Sequence, residues 1–425
     1  MATVRAARED TQFQRRILIK LRQTPKTQIT IGLDVHKNSI HAAIFRDGGI
    51  LADWRAPAHY AAFANQLLPL LPFTKTVAYE AGPTGFSLAR VLQRQGFSVI
   101  VCAPTHTPRA SARQDKSDKI DAAKLARFAA HGMLAAVTIP TEQEEQDRLV
   151  LRHRNALVDK LRRAKQQIKA GFLFTGSGEV ASWGKAEAGR LAAMPCPGGQ
   201  RFALDSLLRE MALLEDEVRK TGARIERVMG ERHAKAKAIL ESHPGVGPVT
   251  AATFALELFR PKRFRNGRAV ARFLGLAPGK SQSGETDRPA PLLKTGQSRL
   301  RAQLVEAAWR WIRIDPAARA VYGRIASRKR GNAKKAIAAM ARRLAVRLWT
   351  MWTRGEMYDA ERAKSRPAQA RPQAPDRKRG MAAEAAPPVD LGASAGKAVR
   401  EPRRAGAAPA AKPARPARTA KAPAT

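Results

Sequence analysis

Residues 28–46 read QITIGLDVHKNSIHAAIFR, and the fold turns on this stretch. Isoleucine and valine crowd both halves, and Lys37-Asn38-Ser39 carries turn chemistry between them. The pattern predicts two antiparallel strands joined by a short turn. Working outward, residues 59–70 fit a helix, and TKTVAYEAGPTG (74–85) reads as a strand running into a Gly/Pro loop. A helix over 86–95, a strand in FSVIVCAP (97–104) and a helix in SDKIDAAKLARFAAHG (117–132) follow. That last helix has two aspartates in its first turn and is closed by Gly132. Strands alternating with helices predict an α/β layered domain over residues 28–140, preceded by a basic arm over 1–27.

Beyond it, residues 141–238 are charged, with apolar side chains at helical spacing: Leu149, Leu151, Leu157, Leu161 and Ile168, then Leu207, Leu208, Leu213, Leu214, Val218, Ile225 and Val228. Two long charged helices on either side of a Gly-, Pro- and Ser-bearing stretch predict an antiparallel coiled-coil arm. Residues 239–353 read as a second, mainly helical unit. From 354 to 425 the chain is rich in Ala, Pro, Lys and Arg, with too little apolar surface to offset chain entropy, and is expected to be a disordered tail.

The formal net charge is +41, with 77 Lys and Arg against 36 Asp and Glu. Residues 363–425 hold fourteen basic and four acidic residues, a net of +10, so +31 remains on the rest. The tail therefore does not account for the charge. A body this basic calls for a polyanionic partner, and DNA and RNA both answer to it. Cys102 and Cys196 stand alone, which argues against a disulfide framework or a zinc module. With no long uncharged apolar run and no apolar signal core, a membrane partner is not expected, and the expected setting is the bacterial cytoplasm, at the nucleoid.

Four acids are the candidates for chemistry. Asp34 interrupts an apolar strand, where an unpaired buried carboxylate is expensive. Glu80 ends a strand and opens a loop, the place where α/β sheets present ligand-binding groups. Asp118 and Asp121 are three apart and share a helix face. Gathered together, these acids would need a hard divalent cation, Mg2+ or Mn2+, and a cation pair could clamp both oxygens of a phosphoryl transfer. Taken alone, Asp118 and Asp121 read equally as helix-start acids favouring the dipole. Further on, His243-Pro244-Gly245-Val246-Gly247-Pro248 opens an apolar helix. Backbone N–H groups at such a turn form a perch for phosphate, with Gly245 and Gly247 supplying its shape, and the alternative is a plain helix corner.

The segments Asp34-Val35-His36-Lys37, Glu80-Ala81-Gly82-Pro83-Thr84-Gly85 and Lys116-Ser117-Asp118-Lys119-Ile120-Asp121-Ala122 resemble the amino-terminal DEDD blocks of IS110/IS116/IS902-family transposases. Gly275-Leu276-Ala277-Pro278, Ser283-Gly284 and Lys294-Thr295-Gly296 resemble that family's carboxy-terminal domain. The resemblance implies a ribonuclease-H/RuvC-like fold over 28–140 and identifies Asp34, Glu80, Asp118 and Asp121 as metal-holding catalytic acids. It also implies a serine nucleophile at Ser283, Ser281 being the alternative because the usual Ser-Ser-Gly is here Ser-Gln-Ser-Gly. Separately, the His243–Pro248 turn resembles the hairpin of helix-hairpin-helix DNA binders, which gives 239–353 such an element. Lys294, Arg299 and Arg301, with Arg310 and Arg313, are expected on nucleic acid. A homo-oligomer, dimer or tetramer, with composite sites is implied, as is a structured non-coding RNA partner in some members. The expected activity is metal-dependent DNA strand cleavage and exchange that moves an insertion element. Site-specific DNA inversion and junction resolution by a RuvC-like nuclease are the alternatives.

Overall fold

The computed structural model describes residues 15–23, 28–104, 107, 118–180, 183–283, 286–293, 296–327 and 332–360; the side chains of Lys185 and of residues 280–291 lie outside that description. All of these residues fall within one compact unit, Met1–Ser365. The expected disordered tail lies outside the described residues from 361 onward.

A helix α1 over 15–23 precedes the hairpin of β1 (Ile29–Val35) and β2 (Ser39–Arg46), and β3 (Gly49–Pro57) adds a third strand. Helix α2 (Tyr60–Leu67), β4 (Thr74–Glu80), α3 (Ser87–Arg94), β5 (Val99–Cys102) and α4 (Asp118–Ala130) complete the first layered body. The five strands form one sheet in the order β3-β2-β1-β4-β5. β1 runs antiparallel to β2 and parallel to β4, and β4 runs parallel to β5. This mixed α/β core fits a ribonuclease-H-like domain.

Strand alternation sorts the two faces. Ile29, Ile31 and Leu33 of β1, Ile40, Ala42 and Ile44 of β2, and Val77 and Tyr79 of β4 all enter one core with Ile17 and Leu21 of α1, Leu67 of α2 and Leu88 of α3. The other face, carrying Thr30, Gly32 and Asp34 of β1, is covered by α4, which buries Ala122, Leu125, Ala126 and Ala129. Gly32 permits that contact. A Cβ there would stand 2.1 Å from the Ala122 carbonyl oxygen and 2.3 Å from the Ala126 nitrogen. Only a residue without a side chain lets α4 lie this close to β1.

Two long helices follow, α5 (Glu142–Thr175) and α7 (Gly198–Arg232), with a short α6 (Lys185–Ala193) between them. Thr141 and Glu144 form a reciprocal capping box at the start of α5. The helices run antiparallel: Asp147 meets Arg232 and His233, Lys165 meets Glu215, and Ser177 meets Gln200. Their far end has its own small core of Ile168, Phe172, Val180, Leu191 and Leu204. The Gly-, Pro- and Ser-bearing stretch between the long helices thus holds a packed helix of its own.

The remaining elements are α8 (Ala234–Glu241), α9 (Pro248–Leu258), α10 (Gly267–Phe273), the two-stranded sheet of β6 (Pro278–Ser283) and β7 (Thr286–Leu292), α11 (Ser298–Ile314), α12 (Pro316–Ala326) and α13 (Ala333–Arg354). The helices share one core, into which the root of the arm also sends Leu151, Ile225 and Met229. The first turns of α5 are held from both sides. Arg90 of α3 bonds Glu145 and the Pro140 carbonyl, and Arg260 bonds Glu144 with two parallel hydrogen bonds. Among the described residues no helix is long and apolar enough to cross a membrane.

Candidate active site

Parallel pairing of β1 with β4 brings Leu33 beside Tyr79. Asp34 and Glu80 are each one residue further on, so both stand at carboxyl ends of neighbouring strands, on the face opposite the Leu33–Tyr79 core. On that face α4 runs against β1 with its amino terminus toward Asp34, because Gly32 meets Ala122 and Ala126 while Asp118 lies one turn earlier. Asp118 and Asp121 occupy that first turn. The strand ends and the helix start thus converge on one rim of the sheet.

The tightest group there is Asp34, His36 and Asp118. Each offers a ligand atom within 4.8 Å of the others, an arrangement that could hold a metal ion. His36 Nε2 lies 3.1 Å from Asp34 Oδ2 and 3.4 Å from Asp118 Oδ1. The side chains of His36 and Asp118 are about half exposed, at 52% and 54%, against 22% for Asp34, so the group opens to solvent. Partial burial pushes the Asp34 carboxyl above its ordinary pKa. His36 acts against that shift, and the charges of Asp118 and Asp121 add to it. Asp121 is therefore close enough to bear on Asp34. Glu80 is on the same face at the adjacent strand end but outside the tight group.

A second polar pair borders the acids. His41, paired with Asp34 across the β1–β2 ladder, has Nε2 3.4 Å from Asp53 Oδ1, and Lys119 Nζ lies 3.0 Å from Asp53 Oδ2. His36 and His41 are not among the four acids that the sequence singles out. The available signal was two histidines five apart, spanning a predicted turn beside an aspartate.

The other expected residues are scattered over the carboxy-terminal helical body. Gly245 has φ +87°, and a Cβ on it would stand 2.6 Å from the Trp311 nitrogen, so this glycine lets the turn rest on the backbone of α11. Gly247 is the N-cap of α9, with no side-chain cap and the Arg310 guanidinium alongside. His243 is buried between Trp311 and Tyr358, and that burial pulls its pKa down to about 4. Arg301 donates to the Leu274 carbonyl, and Arg299 pairs with Asp159 of α5 at 3.1 Å. Both arginines therefore have work within the fold. Ser283 and Ser281 fall on strand β6, opposite Thr286 and Arg288 of β7. The serine side chains and Lys294 lie outside the described residues.

A mixed sheet of this order, covered by helices, fits a domain of the ribonuclease-H type. Comparison with known proteins makes the class specific. A family model for DEDD-type IS110 transposases matches residues 31–175, and the model described as "Transposase IS116/IS110/IS902 family" matches residues 237–323. A protein of Sinorhizobium fredii named as a transposase is 34% identical over 241 residues, which span 54% of this chain and 57% of that relative. A second from the same organism is 30% identical over 305 residues, 65% of this chain and 76% of the relative. A protein of Pseudomonas aeruginosa named as a family 20 transposase is 27% identical over 351 residues, 77% of this chain and 98% of the relative. The chain belongs to the IS110/IS116/IS902 family of transposases.

Proposed function

We propose that this transposase cuts and rejoins DNA at a divalent-metal site held by Asp34, Glu80, Asp118 and Asp121, with Ser283 as nucleophile. The observation that carries the proposal is the convergence of two strand ends and one helix start, which sets Asp34 and Asp118 within metal-sharing distance on an open rim. The residues present fit a hard cation: carboxylate oxygens dominate the set, and burial, reinforced by repulsion from Asp118 and Asp121, leaves Asp34 suited to a counter-charge. When bound, Mg2+ or Mn2+ would supply Lewis-acid stabilisation of the scissile phosphate oxygens.

The chain's own part is positional. The carboxylates orient the phosphate, and the Ser283 hydroxyl loses its proton to a base as its Oγ forms the new bond to phosphorus. The strand oxygen leaves as a hydroxyl after taking a proton, and the phosphoserine ester keeps the bond energy for rejoining. DNA at the element ends and target is the substrate, and a structured RNA is a second polyanion suited to the +31 carried outside the tail. The open start of α9 at Gly247, beside Arg310, supports a phosphate contact there. In this reading residues 28–140 are the catalytic domain, 141–238 a coiled-coil arm and 239–353 the serine-bearing domain, and a homo-oligomer pairs the acids of one subunit with the serine of another.

Covalent capture tests it. Purified protein incubated with radiolabelled element-end DNA and Mg2+ is expected to give a protein–DNA adduct resistant to denaturation. Asp34→Asn and Ser283→Ala should each lose at least about a hundredfold of it. Cutting that survives in Ser283→Ala without any adduct would turn the reading into a metal nuclease using water.

A further inference from the structure

The β1–β2 turn carries a side chain that the four acids leave unexplained. The His36 backbone N–H donates to the Ser39 carbonyl at 2.9 Å, which closes the turn and fixes where the imidazole begins. Its Nε2 then lies between the carboxylates of Asp34 and Asp118, at 3.1 and 3.4 Å. In an octahedral shell with metal–oxygen bonds of roughly 2.1 Å, adjacent donor atoms are about 3 Å apart. The two edges that run from His36 to Asp34 and Asp118 are near that length, and all three donors lie within 4.8 Å of one another, so a single cation could sit against the three.

We propose that His36 is a direct nitrogen ligand of the catalytic cation, and that it biases the site toward Mn2+ over Mg2+. This rests on the reading of the acids as a metal site. The chemical reason is donor type: magnesium favours an all-oxygen shell, whereas imidazole suits the borderline first-row ions better. The competing role for the same geometry is a plain hydrogen bond, in which Nε2–H donates to Asp34 and no nitrogen reaches the metal. The two roles differ in which nuclei the bound metal senses.

The experiment is pulsed electron paramagnetic resonance of the full-length protein loaded with Mn2+, with calorimetric titration of Mn2+ and Mg2+ in parallel. Wild type is expected to show nitrogen modulation from a coordinated imidazole. His36→Ala should lose that modulation while still binding Mn2+, with affinity down about tenfold or more and Mg2+ affinity nearly unchanged. Asp34→Asn should abolish site binding of both ions. Mn2+ bound to wild type without nitrogen modulation overturns the inference and leaves the carboxylate site standing. Modulation that persists in His36→Ala overturns it too, because the nitrogen would then belong to another residue such as His41. Wild type that binds Mn2+ no better than Asp34→Asn defeats the metal-site reading itself. His36→Gln, closer to histidine in size, is a second variant that should also lose the imidazole modulation, so a misfolded His36→Ala does not shield the proposal.

Discussion

In the proposed metal site, folding and function pull in opposite directions at Asp34. Burial raises its pKa; His36 opposes the rise, and Asp118 and Asp121 reinforce it. An acid whose folded pKa exceeds its unfolded value holds its proton more tightly in the fold. Its stabilising contribution is therefore complete below the unfolded pKa, about 3.9, and is lost as pH rises through the folded value. At neutral pH the ionised side chain works against the metal-free fold. Asn has the same shape without the charge, so metal-free Asp34→Asn is expected to melt at or above wild type at pH 7, with the margin closing as pH falls below about 4. Added Mn2+ should raise the melting temperature of wild type and leave the variant where it was. A metal-free variant that melts clearly below wild type at pH 7 would show that Asp34 stabilises the fold by some other contact. Sites that hold like charges ready for a cation give up stability for function in this way.

At the scale of elements, one glycine connects the sheet to the chemistry. α4 rests on β1 through Gly32, so its first turn reaches the end of β1 with Asp118 pointed at Asp34's neighbourhood. In Gly32→Ala the added methyl meets backbone atoms of α4, which have no rotamer to give, so the helix has to move. The expected cost is the upper part of the usual overpacking range, about 3 kcal/mol, with weaker Mn2+ binding alongside. Gly230→Ala, on an exposed part of α7 with open space around it, is the control and should be neutral or stabilising by up to about 1 kcal/mol. Equal melting temperatures for wild type and Gly32→Ala would mean α4 is not seated as described. The sequence made much of this legible, because each element around the acids is amphipathic with the right period: Ile29, Ile31 and Leu33 alternate with Thr30, Gly32 and Asp34. β3 escaped notice because an edge strand has only one neighbour, and Gly49–Pro57 shows no clean alternation of buried and exposed residues. Pairing His36 with Asp118, 82 positions away in the chain, needed the fold itself. Spacing in the sequence carries no information about a contact made between a turn and a helix start.

For the whole molecule the open question is which part of the charge grips nucleic acid. The body carries +31 and residues 363–425 carry +10. Among the described residues the body presents basic side chains on helices, including Arg310, Arg313 and Arg319 on α11 and α12, while the tail's charge is spread along a Pro- and Ala-rich sequence. Each phosphate neutralised on duplex DNA contributes about −0.9 to the slope of log K against log salt. If contacts follow charge, a chain ending at residue 362 keeps roughly three quarters of the slope of the full chain. Fluorescence anisotropy of a labelled duplex between low and moderate salt measures both slopes. The truncated protein is expected to bind nearly as steeply, with its loss of affinity largest at low salt, where weakly placed charges count most. A slope that falls by more than half would make the tail the principal polyanion-binding segment. The helical body's charge would then be a solvated surface, and the phosphate perch at Gly247 and Arg310 would lose its support.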